Sequence, residues 1–121
     1  MVLDADLAAL RVCDLQTVGR ASGRPHVVEL WFAADPESER LYILGGGRDE
    51  ADWVRNVRRN PGVRVRLGNR WYAGVATEIE RGPDDGLARR LLAAKYQGWS
   101  EGERLSSWAR HSLPIAVELE R

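Results

Sequence analysis

The sequence LYILGGGRDEADWVRNVRRNP, residues 41–61, carries the clearest structural signal in this chain. The apolar run Leu41–Gly45 predicts a strand, which passes directly into three glycines, Gly45–Gly47 (the glycine loop). A helix is predicted from about Glu50 to Arg59, and it ends at Asn60–Gly62, where proline and glycine stop it. Glycines leave backbone N–H groups open to a ligand, and a helix N-terminus adds partial positive charge. The order strand, glycine loop, helix therefore predicts a site for a phosphate or a similar anion.

Composition indicates a single globular domain over residues 1–121. Of the 121 residues, 44% are hydrophobic and 30% are charged, which is typical of a folded soluble protein. No apolar run approaches the roughly 20 residues needed to cross a bilayer, and Asp4 and Asp6 make the N-terminus unlike a secretory signal. Cys13 is the only cysteine, so an internal disulfide is excluded. We therefore expect a cytoplasmic protein without a membrane span.

Charge is unevenly distributed, although the formal net charge is zero. Between residues 48 and 70 there are seven arginines and only three acidic residues. The zero net charge does not favour nucleic acid as a partner. A local excess of arginine suits a small polyanionic ligand, because arginine binds phosphate and carboxylate groups with two hydrogen bonds. The alternative is that these arginines lie on solvated faces of helices and strands.

The common catalytic signatures are missing from the sequence. It contains neither a G-x-G-x-x-G dinucleotide motif nor a phosphate-binding P-loop, and strands that look antiparallel argue against a Rossmann domain. His26 and His111 are the only histidines, too few for a metal site without clustered carboxylates, and both are interpreted as structural. No nucleophile elbow supports a hydrolase. Neither hydrolysis nor a bound metal is therefore predicted.

Periodicity and turn signals predict about six strands with interspersed helices, and no repeat or linker divides them. The predicted strands are Val12–Val18, His26–Ala34, Leu41–Gly45, Val63–Leu67, Trp71–Glu80 and Leu113–Leu119. The predicted helices are Asp4–Leu10, Glu50–Arg59, one that starts at Pro83, and Ser100–Ala109, which opens with a capping-box pattern. This arrangement favours a mainly β fold, a small antiparallel barrel with helices packed outside it.

The predicted helix after the glycine loop presents Trp53, Asn56 and Asn60 on one face, because they are spaced by three and four residues. Asparagine is a mediocre helix former, and Asn56 has nothing local to cap. Its amide offers both a donor and an acceptor, which suits the edge of a heterocyclic ring. Alternatively, Trp53 packs in the core, Asn56 is an exposed polar residue and Asn60 caps the helix.

Three motifs follow one another along the chain. They are T-x-G-R-x-S-G-R-P over residues 17–25, the glycine loop, and W-x-x-N-x-x-x-N-P over residues 53–61. In this order they resemble the deazaflavin-dependent nitroreductase family, which belongs to the split β-barrel flavin and deazaflavin oxidoreductases and is related in fold to pyridoxamine phosphate oxidase. The resemblance covers about residues 13–80 and Leu113–Val117, whereas residues 81–112 match only loosely.

The resemblance implies a split β-barrel of about six antiparallel strands that binds coenzyme F420, a 5-deazaflavin with a phosphate and an oligoglutamate tail. It implies an F420-dependent oxidoreductase that transfers hydride between the reduced deazaflavin and a small electrophilic acceptor, such as a quinone, an enone or a nitroaromatic compound. Two alternatives stay open: FMN on the same barrel, and a cofactor- or tetrapyrrole-binding protein without turnover. The implied cofactor-binding residues are Arg20, Ser22, Gly23, Arg24 and Pro25 in the basic turn, and Gly45, Gly46, Gly47, Arg48, Trp53 and Asn56 from the glycine loop onward.

The small-molecule substrate is expected over the cofactor ring, near the loosely matching helices. Tyr96, Trp99 and Trp108 are the aromatic candidates there, and the Tyr96 hydroxyl is the candidate group that orients or protonates the acceptor. Alternatively, Tyr96 and Trp108 pack on the barrel. Barrels of this kind usually dimerise with the pocket near the subunit interface, and five tryptophans exceed what one small core needs. We therefore expect a homodimer.

Overall fold

Seven antiparallel strands and four helices make up the part of the chain that the computed structural model describes, residues 3–38 and 40–120. The strands are β1 (Cys13–Val18), β2 (Pro25–Leu30), β3 (Ala33–Ala34), β4 (Arg40–Gly45), β5 (Gly62–Leu67), β6 (Arg70–Glu78) and β7 (Leu113–Leu119). The helices are α1 (Ala5–Ala8), α2 (Asp52–Arg59), α3 (Pro83–Gln97) and α4 (Ser107–His111). The prediction of a mainly β, antiparallel fold with helices packed outside is confirmed, with seven strands in place of about six.

The sheet curls because two consecutive strands lie at its opposite edges. The strand order is β2-β1-β5-β6-β7-β4-β3, so β2 pairs with β1 and β3 pairs with β4. Only Trp31 and Phe32 separate β2 from β3 in the chain. Three peptide steps reach at most roughly 11 Å, so the two edges must approach each other. The sheet is therefore a half-barrel that closes at the Trp31–Phe32 link.

The predicted single strand His26–Ala34 is wrong, since β2 ends at Leu30 and β3 begins at Ala33. The break occurs at Phe32, whose backbone is held by side chains of α3. The Phe32 N–H donates to the Tyr96 hydroxyl oxygen at 3.1 Å. The Phe32 carbonyl accepts from Lys95 Nζ and lies within hydrogen-bond distance of the Tyr96 hydroxyl, both at 2.9 Å. These contacts take the place of hydrogen bonds to a neighbouring strand.

Two apolar layers form on the two sides of the curled sheet. Inside the half-barrel, buried residues of β1, β4, β5 and β7 pack with Val54 and Val57 of α2. Outside it, α3 covers β3, β4 and β7 through a second cluster that includes Tyr42 and Leu92. Strand β4 is therefore buried on both faces, which matches its continuous apolar sequence. No helix in the described ranges 3–38 and 40–120 is long and apolar enough to span a bilayer.

The helix predicted over Ser100–Ala109 is wrong, because α4 begins only at Ser107. Half of the capping box does form: the Ser100 N–H donates to Glu103 Oε1 at 2.6 Å. However, Gly102 adopts a φ of 91°, outside the helical region, and the chain leaves the helical path there. Ser106 then caps α4, its hydroxyl accepting from the Ala109 N–H at 3.1 Å. The capping-box pattern at Ser100 therefore does not mark the start of a helix.

We predict that Tyr96→Phe lowers the free energy of unfolding by about 1–3 kcal/mol, because Phe32 loses a partner for its backbone. Urea denaturation followed by circular dichroism measures this change. Tyr72→Phe is the matched control, because within residues 3–38 and 40–120 the Tyr72 hydroxyl makes no hydrogen bond while its ring is also half-buried. Equal losses in the two variants would contradict a specific role for Tyr96 at the strand break.

Candidate functional site

The basic turn between β1 and β2 is bound to helix α2. The Arg20 N–H and its guanidinium Nη1 both donate to Asn56 Oδ1, at 3.1 and 2.9 Å. The Arg20 Nη2 donates to Asp52 Oδ1 at 3.1 Å. The motif residues of the turn and of the helix, which lie far apart in the sequence, are therefore in direct contact.

The Asn56 amide is the centre of this contact. Asn56 is only 3% exposed, and its Nδ2 donates to the Thr17 hydroxyl of β1 at 3.1 Å. The amide oxygen accepts from Arg20, so both ends of the amide are engaged within the protein. Asn56 thereby joins α2 to β1 and to the basic turn. The alternative that Asn56 is an exposed polar residue is therefore wrong, whereas its role in binding the edge of a ring stays a prediction.

The turn itself is tight and presents polar groups on its outside. The Gly19 N–H donates to the Arg24 carbonyl at 2.7 Å, and the Gly23 N–H donates to the Gly19 carbonyl at 2.9 Å. Gly23 has a φ of 73°, which only glycine adopts readily. The Ser22 hydroxyl accepts from the Arg24 N–H at 3.1 Å. The predicted residues of this motif therefore form one small hydrogen-bonded unit next to α2.

Two adjoining cavities, each of about 300 Å³, lie along the contact between turn and helix. They share His26, Asp52 and Asn56 as a common wall. The first cavity, which we call the apolar chamber, is also lined by Thr17, Val27, Val28 and Trp53. The second cavity, the polar chamber, is also lined by Gly19, Arg20, Ala21 and Ser22. The site is therefore a groove with one apolar, aromatic half and one half at the basic turn.

A third cavity of about 370 Å³ lies on the other side of the turn. It is lined by Val18, by residues 19–23 and by Arg59 and Asn60. Arg59, at the end of α2, thus extends the positive charge of the turn. Sequence reasoning counted Arg59 in the arginine-rich segment but did not place it at the site, because its neighbours come from a different part of the chain.

The glycine loop lies next to this groove through Trp53. The Trp53 ring is 3.0 Å from the place where a Cβ on Gly45 would lie, so a larger residue there would displace the ring. Trp53 also lines the apolar chamber. The structure therefore places Trp53 between the glycine loop and the apolar chamber that adjoins the basic turn.

The glycine loop does not lead directly into the helix as predicted. A short 3-10 turn, Arg48–Glu50, precedes α2. Asp52 then occupies the first turn of α2, where its carboxylate suits the helix dipole, and it binds Arg20. The Arg48 guanidinium donates to the His111 carbonyl at the end of α4, and Arg48 itself adopts a φ of 49°. Acidic residues therefore lie in the first turns at this helix N-terminus, and the prediction that the glycine loop and the helix bind an anion stays a prediction.

An aromatic cluster lies on the far side of the glycine loop. The Trp31 and Tyr96 rings stack with centroids 4.4 Å apart and an interplanar angle of 4°. Trp108 meets Trp31 edge-on at 5.5 Å, and its Nε1 lies 3.4 Å from the place of a Cβ on Gly46. Trp31 is 45% exposed, so part of this cluster faces solvent beside the loop.

Tyr96 occupies the predicted region, but its hydroxyl is already in use. It lies within hydrogen-bond distance of the Arg11 and Phe32 carbonyls and accepts from the Phe32 N–H. Burial raises the pKa of Tyr96, which keeps the proton on the hydroxyl. Trp99 is separate from the cluster, its indole N–H donating to the Glu103 carbonyl at 2.9 Å. Sequence reasoning missed Trp31 as a member of this cluster because it lies in a stretch predicted to be a regular strand.

Comparison with known proteins identifies the family. Residues 5–120 match the model of the family described as F420H(2)-dependent quinone reductase. The chain belongs to this family. The resemblance predicted from the three motifs is thereby confirmed, and so are coenzyme F420 as the cofactor and the class of F420-dependent reductases. Among curated proteins no match was found.

Solved structures of the same fold are similar to this chain at low sequence identity. An F420-H2 dependent reductase (FDR-A) is 23% identical, with 99% of this chain and 98% of that chain covered and a TM-score of 0.66. A protein from Listeria innocua described as a candidate pyridoxamine 5'-phosphate oxidase is 23% identical, with 97% and 90% covered and a TM-score of 0.69. The conserved hypothetical protein Rv2991 from Mycobacterium tuberculosis is 18% identical, with 100% and 83% covered and a TM-score of 0.79. These likenesses support the split-barrel fold.

We predict that Asn56→Ala lowers the free energy of unfolding by about 1–3 kcal/mol and also weakens F420 binding, because Arg20 and Thr17 both lose their partner. Asn69→Ala is the matched control, since Asn69 is exposed in the turn between β5 and β6 and lines none of these three cavities. Thermal unfolding and calorimetric titration with F420 measure the two effects. If Asn56→Ala behaves like Asn69→Ala in both, the amide does not organise the site.

Proposed function

We propose that this protein transfers a hydride from reduced F420 to a small planar electrophile, with a quinone, an enone or a nitroaromatic compound as the acceptor class. The observation that carries the proposal is the groove of two chambers on either side of His26, Asp52 and Asn56. One chamber is apolar and aromatic, and the other lies against the basic turn. An F420 molecule has the same division, a flat ring at one end and a phosphate with an anionic tail at the other.

The residues of the two chambers fit the two ends of such a cofactor. In the polar chamber, Arg20 and Ser22 are placed to bind the phosphate, and Arg59 beyond the turn is placed to attract the anionic tail. In the apolar chamber, Trp53 and Val28 would contact the ring and keep water from it. When bound, F420 supplies the hydride; the protein binds, orients and desolvates it. No catalytic acid or base is required by this division of roles.

The acceptor is proposed to bind against the aromatic cluster beside the glycine loop. Trp31 offers an exposed indole that is held in a fixed plane by stacking on Tyr96. A planar acceptor gains about 0.5–1.5 kcal/mol from stacking on such a ring, beyond the area it buries. Tyr96 acts on this surface indirectly, because its hydroxyl is bonded to backbone groups while its ring supports Trp31. We therefore propose Tyr96 as a positioning residue for the acceptor surface.

The experiment is a titration of the purified protein with F420 and FMN, followed by assays of F420H2 oxidation with menadione and with a nitroaromatic acceptor. We expect F420 to bind with a Kd below roughly 100 μM, about −5.5 kcal/mol, more tightly than FMN, and menadione to be reduced. Arg20→Met should weaken F420 binding by roughly tenfold, because a charge-assisted contact is lost. Arg104→Met is the matched control, an exposed arginine in the loop before α4.

Three results would contradict the proposal in different ways. Absence of F420 binding would reject the cofactor assignment for this chain. Tighter binding of FMN than of F420 would favour the related flavin reaction. F420 binding without oxidation of F420H2 by any acceptor would favour a cofactor-binding protein without turnover.

We further propose that the protein is a cytoplasmic homodimer. The outer face of β2, β1, β5 and β6 exposes Val27 and Val75, at 55% and 44%, beside the oppositely charged Glu29 and Arg64. A face that carries both signs of charge around apolar residues can pair with a second copy of itself. A structural neighbour of the same fold, 23% identical with a TM-score of 0.66, is described as a domain-swapped dimer.

Light scattering after size-exclusion chromatography tests the dimer. We expect a mass of twice the 13.6 kDa of the chain, and a shift towards 13.6 kDa for Val75→Arg, which places a second charge next to Arg64. Ala94→Arg is the control, since Ala94 is exposed on α3, which packs on β3, β4 and β7. A single species of 13.6 kDa for the unchanged protein would refute the dimer.

A further inference from the structure

Arg89 of α3 holds the carboxyl end of α4. Its Nη1 donates to the Ala109, Arg110 and Ser112 carbonyls at 2.8, 2.9 and 2.9 Å. Its Nε and Nη2 donate to the two carboxylate oxygens of Asp85, one turn earlier in α3, at 3.2 and 3.1 Å. The Arg89 side chain is only 14% exposed, and all three of its nitrogens are bonded. One arginine therefore fixes three carbonyls at the end of α4.

Helix α4 depends on such contacts for its position. It has five residues, of which only Ala109 is buried, and helices shorter than about 12 residues are marginal on their own. The carbonyls of its last turn have no partners within the helix. At its start, the Ser106 hydroxyl donates to Gln97 Oε1 at 2.7 Å. At its end, the Arg48 guanidinium donates to the carbonyl of the last residue, and Arg89 binds the other carbonyls.

Trp108 is the residue of α4 that borders the glycine loop. Its ring is nearly perpendicular to that of Trp31, with an interplanar angle of 80° and centroids 5.5 Å apart. Its Nε1 lies 3.4 Å from the place of a Cβ on Gly46. In residues 3–38 and 40–120, the Trp108 indole N–H makes no hydrogen bond. Trp31 and Gly46 are both exposed. The two rings therefore form an open corner beside the glycine loop, with the Trp108 N–H in one wall.

Resting on the proposed function, we infer that Arg89 is a positioning residue for the acceptor: it fixes α4 so that the Trp108 N–H donates to an acceptor oxygen. A quinone carbonyl, an enone carbonyl and a nitro group all carry such an oxygen. Arg89 does not contact the acceptor, because its nitrogens are bonded to Asp85 and to the end of α4. Its removal frees the end of α4, so the indole N–H no longer has one direction.

A role of Arg89 in stability alone makes a different prediction. In that case, loss of Arg89 lowers the free energy of unfolding, but the folded protein binds the acceptor as before. The two roles are separated by the KM for the acceptor, measured where every variant is folded. Circular dichroism and thermal unfolding establish the temperature range in which this holds.

The first test is steady-state oxidation of F420H2 by menadione with the full chain, together with calorimetric titration with F420. We expect Arg89→Gln and Trp108→Phe each to raise the KM for menadione roughly three- to tenfold, the loss of one hydrogen bond, while kcat and the Kd for F420 change less than roughly twofold. Arg90→Gln is the matched control, because Arg90 is the next residue of α3, is exposed, and makes no hydrogen bond within residues 3–38 and 40–120.

The double variant shows whether Arg89 acts through Trp108. If it does, Arg89→Gln raises the KM much less in the Trp108→Phe protein than in the unchanged protein, because the N–H that it positions is already absent. If the two increases multiply, Arg89 acts on the acceptor by another route and the inference is overturned.

Amide hydrogen exchange gives a measurement that does not depend on activity. In the full chain without added F420, Arg89→Gln should speed the exchange of the amides of residues 109–112 by roughly tenfold, because local opening of α4 becomes easier, and should leave those of β4 unchanged. Equal exchange in residues 109–112 of Arg89→Gln and Arg90→Gln would show that Arg89 does not fix α4.

The outcomes separate this inference from the proposed function. If the unchanged protein reduces menadione and Arg89→Gln has the same KM as Arg90→Gln, the inference is overturned and the proposed function stands. If the unchanged protein oxidises F420H2 with no acceptor, both are overturned. Trp108→Phe gives an independent reading if Arg89→Gln does not fold, since an unchanged KM in that variant also overturns the inference.

Discussion

The fold depends on the way α3 holds the backbone of Phe32. Lys95 donates to the Ala8, Leu10 and Phe32 carbonyls at 3.0, 2.7 and 2.9 Å, and Tyr96 binds both polar groups of Phe32. Burial lowers the pKa of Lys95 to about 8, so placing the ammonium here costs free energy that the three carbonyls offset. Helix α3 therefore joins the N-terminal segment, at Ala8 and Leu10, to Phe32, where the sheet closes.

The site follows from this closure. Because the sheet curls, the hairpin of β1 and β2 faces α2, and residues from the two motifs meet at Asn56. The buried amide of Asn56 then fixes the arginine of the turn, and Trp53 packs against Gly45 of the glycine loop. Tyr96, which binds the backbone of Phe32, also stacks on Trp31 in the aromatic cluster. Both the groove at Asn56 and the aromatic cluster therefore depend on contacts between elements that lie far apart in the sequence.

Local patterns predicted most of the strands and indicated candidate site residues, but not which residues contact one another. Alternation in β5 and the apolar run of β4 report burial directly, so these strands were predicted well. The break at Phe32 depends on Tyr96, which is 64 residues away, and nothing in the local sequence signals it. Asn56 was recognised as unusual, yet its partners Thr17 and Arg20 lie 39 and 36 residues away. Roles set by such distant partners cannot be deduced from spacing.

Strand β7 lies in the middle of the sheet, between β6 and β4, although it comes after every other strand in the sequence. During synthesis, β4 and β6 therefore have no permanent neighbour on one edge until Leu113–Leu119 has left the ribosome. An open edge of apolar strand is prone to pair with other chains. Because of this strand order, the sheet is completed only after β7 has been synthesised. Until then, the chain would benefit from a chaperone that keeps the open edges of β4 and β6 from pairing with other chains.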